Sequence, residues 1–229
     1  MKKIVVLSGA GISAESGLAT FRDSGGLWEG YDVMEVASID GWRRNPKLVL
    51  DFYNMRRKAA FEAQPNEGHK ALVRLEEKYE VTIVTQNVDN LHEKAGSKKI
   101  IHLHGELFKC RSSLDERLVF DMKGFELNLG EKCPKGSQLR PHIVWFGEMV
   151  PLMDAAMRIT SQADLCIVVG TSLQVYPAAG LVDYVSPEAP IYVIDPNMPS
   201  VRSRPNLHLI QEKGSIGLNQ IVDKLLMEF

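Results

Sequence analysis

Residues 4–17 read IVVLSGAGISAESG, and this stretch decides the fold. Four apolar residues, Ile4 to Leu7, run without a polar break into closely spaced glycines, and a helix-compatible segment follows. A short continuous apolar run is the pattern of a strand buried on both faces, as in a parallel sheet covered by helices. A glycine-rich turn between such a strand and a helix suits a pyrophosphate cradled on backbone N–H groups. The glycines fall at Gly9, Gly11 and Gly17, so the G-x-G-x-x-G dinucleotide spacing is not met. Taken alone, the turn fits a phosphate cradle and a plain strand-to-helix corner equally well.

Similar runs recur at VTIV (81–84), IIHL (100–103), HIVWF (142–146), LCIVV (165–169) and IYVI (191–194), with helical patterns between them. This alternation predicts an α/β fold with a doubly wound, Rossmann-like parallel sheet. Asn45-Pro46 predicts the cap and first turn of a helix over 46–63, Asn66 caps the next, and a last helix spans about 216–227. Residues 29–75 show no strand and residues 109–140 are polar and poorly patterned, so both read as insertions forming a small helical or irregular lobe. The organisation expected is one domain over 1–229. Its large lobe takes about 1–28, 76–108 and 141–229, and its small lobe about 29–75 and 109–140.

A net charge of −2 over 229 residues gives no basic footprint for nucleic acid. The apolar run at residues 4–7 is too short for a signal peptide or membrane span, and three cysteines suit free thiols in a reducing cytoplasm. Strand ends carry the chemistry. LATFRDSGGLW (18–28) sets Phe21 and Arg22 beside Gly25-Gly26, as in a loop that closes over a ligand or a plain surface loop. TQNVDNLH (85–92) offers Gln86, Asn87 and Asp89, suited to a ribose or a carboxamide, or to an Asx turn satisfying its own backbone. IIHLHGEL (100–107) sets His102 and His104 on alternate positions with no third ligand at metal spacing. His104, before Gly105, suits a general base, and His102 suits a satisfied core histidine. VVGTSLQVYPAAG (168–180) and IDPN (194–197) repeat the strand-then-polar-turn logic. Together these ends suggest one long ligand lying across the top of the sheet.

The ordered set GAGISAESG…TFR, TQNVDNLH, HLHGEL, LRPHIVWFGE and VVGTSLQVYPAAG resembles the sirtuins, the NAD-dependent protein-lysine deacylases, over nearly the whole chain. The resemblance implies NAD as co-substrate and acyl-lysine proteins or peptides as partners, with nicotinamide and O-acyl-ADP-ribose as products. It implies His104 as the base that takes a proton relayed from the ribose hydroxyls. It assigns Gly9, Ala10, Gly11 and Ser13, with Phe21 and Arg22, to the diphosphate and nicotinamide-side ribose, and counts Glu15, Thr20 and Trp28 among the cofactor-binding residues. Gln86, Asn87 and Asp89 fall to the nicotinamide pocket, and Gly170, Thr171, Ser172, Asp195, Pro196, Asn197 and Ser215 to the adenosine half. Asp195 stands where many relatives carry Asn, which implies poor tolerance for a 2′-phosphate. Val144, Phe146 and Gly147 fall to the peptide, added as a strand between WFGE and TSLQV.

DFYNMRR (51–57) places Tyr53 and Arg56 on one helix face, beside an apolar stripe of Val49, Phe52, Met55, Ala59 and Ala60. By pattern alone they are boundary residues. A Tyr-x-x-Arg pair here resembles the sirtuin class that prefers succinyl and malonyl groups over acetyl, because the cation and phenol can receive a buried carboxylate. The chain departs from the family at its structural zinc. Cys110 and Cys133 stand alone where two C-x-x-C pairs are usual, and Cys166 lies within a strand run. Two thiolates cannot fill a four-sulfur site, so no metal is expected, with Leu118, Val119, Phe120 and Phe125 packing beneath the lobe instead. The alternatives are an NAD- or ADP-ribose-binding protein and an ADP-ribosyltransferase with weak deacylase activity. A hydride-transferring dehydrogenase lacks its glycine spacing here.

Overall fold

The computed structural model describes residues 1–20 and 27–227. In chain order the elements are β1 (Lys3–Ser8), α1 (Gly11–Ala14), β2 (Leu27–Trp28), β3 (Tyr31–Asp32), α2 (Val33–Val36), α3 (Ile39–Arg44), α4 (Pro46–Glu62), α5 (Glu67–Leu75), β4 (Glu80–Thr85) and α6 (Leu91–Ala95). They continue as β5 (Ile100–His102), β6 (Gly105–Ser112), β7 (Val119–Asp121), β8 (Leu139–Ile143), α7 (Met153–Ser161), β9 (Leu165–Val169), a 3-10 helix (Ala178–Tyr184), β10 (Ile191–Ile194), β11 (Leu207–Ile210) and α8 (Gly214–Met227).

Six strands form one sheet in the order β11-β10-β9-β1-β4-β5, every pair parallel. Alternate residues of β1 serve opposite faces. Ile4 and Val6 pack with Leu72 and Leu75 of α5 and Leu218, Ile221 and Leu225 of α8. Val5 and Leu7 pack with Ala156 of α7 and Leu181 of the 3-10 helix. Each such aliphatic burial contributes about 1.5–3 kcal/mol. From β1 the chain builds outward to β4 and β5 on one side, and later to β9, β10 and β11 on the other. The order therefore reverses between β1 and β9, and in open α/β sheets ligands bind outside the strand ends at that point. Among the described residues no helix is long and apolar enough to cross a membrane.

The expected strand HIVWF is not part of this sheet. Residues 139–143 instead form β8 of a three-stranded antiparallel sheet, β7-β6-β8. The sixth parallel strand is Leu207–Ile210, an edge strand whose Leu209 is exposed, which removes the continuous apolar signature. The region expected to be helical or irregular thus has a small sheet of its own. The sheet packs through Leu107, Cys110 and Ile143, with Leu127 and Trp145 from the segments beside it, against Val49, Phe52 and Tyr53 of α4. Of the four residues expected beneath this lobe, Phe120 joins that cluster, whereas Val119 is exposed and Leu118 and Phe125 lie outside it.

α4 starts where expected, with Asn45 Oδ1 accepting the Leu48 N–H and Pro46 at the first turn. Its buried face is wider than the stripe read from sequence. Leu50, Tyr53, Arg56 and Arg57 are buried with Val49, Phe52 and Ala60, while Met55 is 40% exposed. Arg57 enters the core because its Nε donates to the Phe125 carbonyl at 2.8 Å and one Nη to Asn54 Oδ1 at 2.6 Å. Asn54 also bonds both backbone groups of Leu127, so this helix face clamps the 125–127 segment.

Candidate active site

The turn after β1 and the turn after β9 are in backbone contact. Gly9 N donates to the Val169 carbonyl at 3.1 Å and Gly11 N to the Gly170 carbonyl at 2.8 Å. A Cβ on Gly9 would lie 2.7 Å from Thr171 Cβ, and one on Gly11 2.7 Å from Gly170 Cα, so the approach requires glycine on both. Gly170 itself has φ +63°, the left-handed region. These glycines let the two turns close directly on each other at the switch point.

The segment after β4 closes the next side. Ser13, buried at the start of the α1 turn, donates its hydroxyl to Asp89 Oδ2 at 3.0 Å and accepts from Asn87 Nδ2 at 3.1 Å. Asp89 also takes the Leu91 N–H at 3.1 Å, and Gln86 Nε2 reaches Thr171 Oγ1 at 3.1 Å. Burial raises the Asp89 pKa against the pull of these two donors. His104, half-buried after β5, places Nδ1 3.2 Å from the Gln86 carbonyl. A carbonyl only accepts, so Nδ1 carries the hydrogen and the lone pair of the neutral ring sits on Nε2. Burial lowers the His104 pKa and the Gln86 bond opposes that only in part, so the ring is neutral at pH 7.

Of the residues assigned to the adenosine half, Asp195 is buried at the end of β10 and accepts the Asn197 N–H at 2.8 Å, while Pro196 and Asn197 are exposed. Glu15 and Ser215 meet each other: the Ser215 N–H donates to Glu15 Oε1 at 3.0 Å, tying α1 to the start of α8. Ser172 is half-buried beside Thr171. Phe21 and Arg22 lie outside the described residues.

Tyr53 and Arg56 are neither boundary nor surface residues. Tyr53 is 1% exposed, and its phenol oxygen accepts the Trp145 indole N–H at 2.9 Å, which leaves its own O–H to donate. Burial holds its pKa well above the ordinary tyrosine value, so it is a neutral donor. Arg56 is 6% exposed, lies 4.9 Å from the centre of the Trp28 ring, and donates Nη1 to Glu29 Oε1 at 2.9 Å. Glu29 sits with Gly30 at the tip of the β2–β3 hairpin, both at positive φ. The Arg56 Nε has no hydrogen-bond partner among the described residues. Beside this pair run Val144 and Phe146. The Val144 N–H is held by the His104 carbonyl at 2.9 Å and the Phe146 N–H by that of Ala37 at 2.9 Å. Phe146 is 40% exposed, and Gly147 turns at φ +89°. Sequence reasoning missed Glu29 and Trp145; a Glu-Gly pair between two short aromatic runs was the available hint of the hairpin.

The two small-lobe thiols make contacts of their own. Cys133 Sγ lies 3.1 Å from Ser137 Oγ, which is itself 2.7 Å from Ser112 Oγ, and Cys110 Sγ is directed at the Phe120 carbonyl. Cys166 is buried in β9. Among the described residues no group of three or more His, Cys, Asp or Glu side chains is placed to hold a metal. A tetrahedral zinc needs four such donors, so this donor set does not fit one.

Residues 9–177 match the family model described as the Sir2 family. The chain is 54% identical over 226 residues to an NAD-dependent protein deacylase of Helicobacter pylori, covering 99% of this chain and 96% of that protein. It is 48% identical over 231 residues to an NAD-dependent protein deacylase of Bacteroides thetaiotaomicron, covering 99% of each. Among solved structures it resembles a Sir2 homolog–NAD complex with a TM-score of 0.90 at 39% identity, covering 99% of this chain and 90% of that one. A Sir2 protein bound to acetylated peptide gives a TM-score of 0.78 at 28% identity, covering 98% and 92%.

Proposed function

The chain belongs to the Sir2 family, and from that premise we propose that it is an NAD-dependent protein-lysine deacylase that removes succinyl and malonyl groups in preference to acetyl. The observation that carries the reading is the close packing of two glycine turns at the switch point of the sheet, joined through Gln86 to a neutral histidine whose Nε2 is unengaged among the described residues. In this reading Gly9, Ala10 and Gly11 hold the diphosphate, with Thr20, Phe21, Arg22 and Trp28 on its nicotinamide side. Gln86, Asn87, Asp89 and Ser13 receive the nicotinamide and its ribose. Gly170, Thr171, Ser172, Asp195, Pro196 and Asn197, with the Glu15–Ser215 pair, hold the adenosine. The Asp195 carboxylate accepts ribose hydroxyls and repels a 2′-phosphate.

When bound, NAD supplies the ribosyl bond whose cleavage releases nicotinamide, and the ADP-ribose that carries the acyl group away. His104 takes the proton of a ribose hydroxyl on Nε2 while its Nδ1–H stays on the Gln86 carbonyl, which fixes the ring for that transfer. Val144, Phe146 and Gly147 border the extended acyl-lysine peptide, the N–H groups of Val144 and Phe146 being held within the protein by His104 and Ala37. Arg56 and Tyr53 receive the carboxylate of a dicarboxylic acyl group, which exchanges with Glu29 on the guanidinium. A buried carboxylate without such partners is costly, and an acetyl group has no use for them.

The two lobes then form one catalytic unit. The small lobe is held without zinc by the Ser112–Ser137–Cys133 bonds and the Arg57–Asn54 clamp, and the free thiols suit a reducing, cytoplasmic setting. Incubating the protein with NAD and succinyl-, malonyl- and acetyl-lysine peptides tests the reading. Freed lysine and nicotinamide should appear in equal amounts, fastest from the two acidic acyl groups, and a preference for acetyl would contradict it.

A further inference from the structure

We propose that His102 is a second functional histidine of this site: a positioning residue that, held from behind by Glu93, fixes the Gln86–Asp89 segment on which His104 depends. His102 ends β5, and its side chain is 7% exposed. Nδ1 lies 2.9 Å from the Asn87 carbonyl and Nε2 2.7 Å from Glu93 Oε1. A carbonyl and a carboxylate both accept only, so both ring nitrogens must donate, and the ring is an imidazolium. Two residues on, His104 gives its Nδ1–H to the Gln86 carbonyl. One strand end thus holds two consecutive carbonyls of the same segment, with a charged ring on one and a neutral ring on the other. Asn87 is held at three points, its carbonyl by His102, its side chain by Ser13 and its N–H by Thr85 Oγ1. A Glu93–His102–Asn87–Ser13–Asp89 chain results, running from the exposed α6 surface to the glycine turn.

The surroundings separate the two rings. Burial alone would lower the His102 pKa, but the bond and charge of Glu93 outweigh it and raise the value, and burial lowers that of His104, which has no carboxylate partner among the described residues. The Glu93 pKa is lowered in turn, its own burial being outweighed by His102. The other ionisable groups facing His102 are Glu106 of β6, which bonds Lys109 at 3.0 Å, the buried Asp89, and His92 of α6, which burial keeps neutral. The His102 charge favours ionised Asp89. Loss of the His102 proton sets a bare lone pair against one of its two acceptors and loosens Asn87. Environments that push two neighbouring groups apart in this way assign them opposite protonation states.

This inference rests on the proposed role of the Gln86–Asp89 segment in holding nicotinamide and its ribose, so its test has arms that do not need turnover. In nitrogen-detected NMR of the unliganded chain at pH 7, both ring nitrogens of His102 should carry hydrogen. A single protonated nitrogen would overturn the inference whether or not the chain deacylates anything. Glu93→Gln keeps an acceptor but removes its charge. The calorimetric Kd for NAD should then weaken by about 3- to 10-fold at pH 7, where the unaltered ring is charged, the difference between a charge-assisted and a neutral hydrogen bond, and the loss should shrink as pH falls. In turnover the same variant should bring the alkaline limb of kcat/KM for NAD to lower pH, leave the acid limb of His104 in place, and recover in part as Glu93→Asp. Superimposable Kd and rate profiles across pH for Glu93→Gln and the unaltered chain would refute the role of His102. Absence of any lysine deacylation would refute the proposed function and leave the NMR and calorimetric outcomes to decide His102.

Discussion

Replacing Arg56 with Met separates a substrate-reading arginine from a structural one. The guanidinium is 6% exposed and bonded to Glu29 at 2.9 Å, and the Glu29 side chain is 33% exposed. A charge-assisted hydrogen bond to an acyl carboxylate contributes about 1.5–3 kcal/mol. Binding must first release Glu29, and a pair with one solvated partner is worth about 0.5–1 kcal/mol. The net gain is therefore about 1–2 kcal/mol, a selective loss of about 5- to 30-fold in kcat/KM for succinyl-lysine. Acetyl-lysine gains nothing from Arg56 and should change less than about twofold. Glu29→Gln removes the internal competitor, so succinyl-lysine turnover should rise by about 2- to 5-fold, and in the Arg56→Met background it should have no further effect. Tyr53→Phe, which keeps the ring packed on Trp145, should also lower succinyl-lysine turnover selectively. Competition between the two acyl peptides in one tube, read by mass spectrometry beside a melting curve of each variant, gives the ratios directly. Equal losses on both substrates would show that the Tyr53–Arg56 pair only packs the lobe.

The small lobe should hold no stoichiometric zinc by elemental analysis, and chelator should leave the melting temperature unchanged; one zinc per chain retained after dialysis would contradict this. Ser137→Ala, which breaks the contacts to Cys133 and Ser112, should cost about 1–2 kcal/mol, or about 2–8 °C in a chain of this size. His69 is buried with its pKa pushed down to about 4 by burial. Its folded value lies below the unfolded one of about 6.5, so its stabilisation is full above pH 6.5 and fades as pH falls toward 4. Between pH 7.5 and 4.5 this single group should account for about 2–3 kcal/mol of lost stability. Urea unfolding at both pH values should show that difference shrink in His69→Gln, and an unchanged difference would mean the ring is already charged in the folded chain.

Five of the six parallel strands were legible as short apolar runs, most plainly where burial on both faces leaves no polar interruption, as in Ile4–Leu7 and Leu165–Val169. The edge strand Leu207–Ile210 escaped because half of it faces solvent, and HIVWF misled because only His142 and Ile143 lie in β8, while Trp145 beyond it is apolar for the small-lobe core. The glycine turns and the polar strand ends were readable, since close backbone approach and ligand chemistry both restrict residue type locally. Pairing was not. Arg57 lies in the core only because Phe125 and Asn54 meet it there. Arg56 faces Glu29 across 27 residues, and His102 is charged because Glu93 of the preceding helix reaches it. Periodicity ranked Met55 above both arginines; a flexible apolar side chain tolerates solvent, whereas a guanidinium can be buried wherever the fold brings acceptors to it.

The product formed with and without His104 is the most direct test of His104 as the base of an NAD-dependent deacylation. With NAD and a succinyl-lysine peptide, mass spectrometry should find free lysine, nicotinamide and O-succinyl-ADP-ribose in equal amounts. His104→Ala should abolish all three while the Kd for NAD stays within a few-fold. Near-normal turnover in His104→Ala, or ADP-ribosylated peptide in place of O-succinyl-ADP-ribose from the unaltered chain, would contradict it.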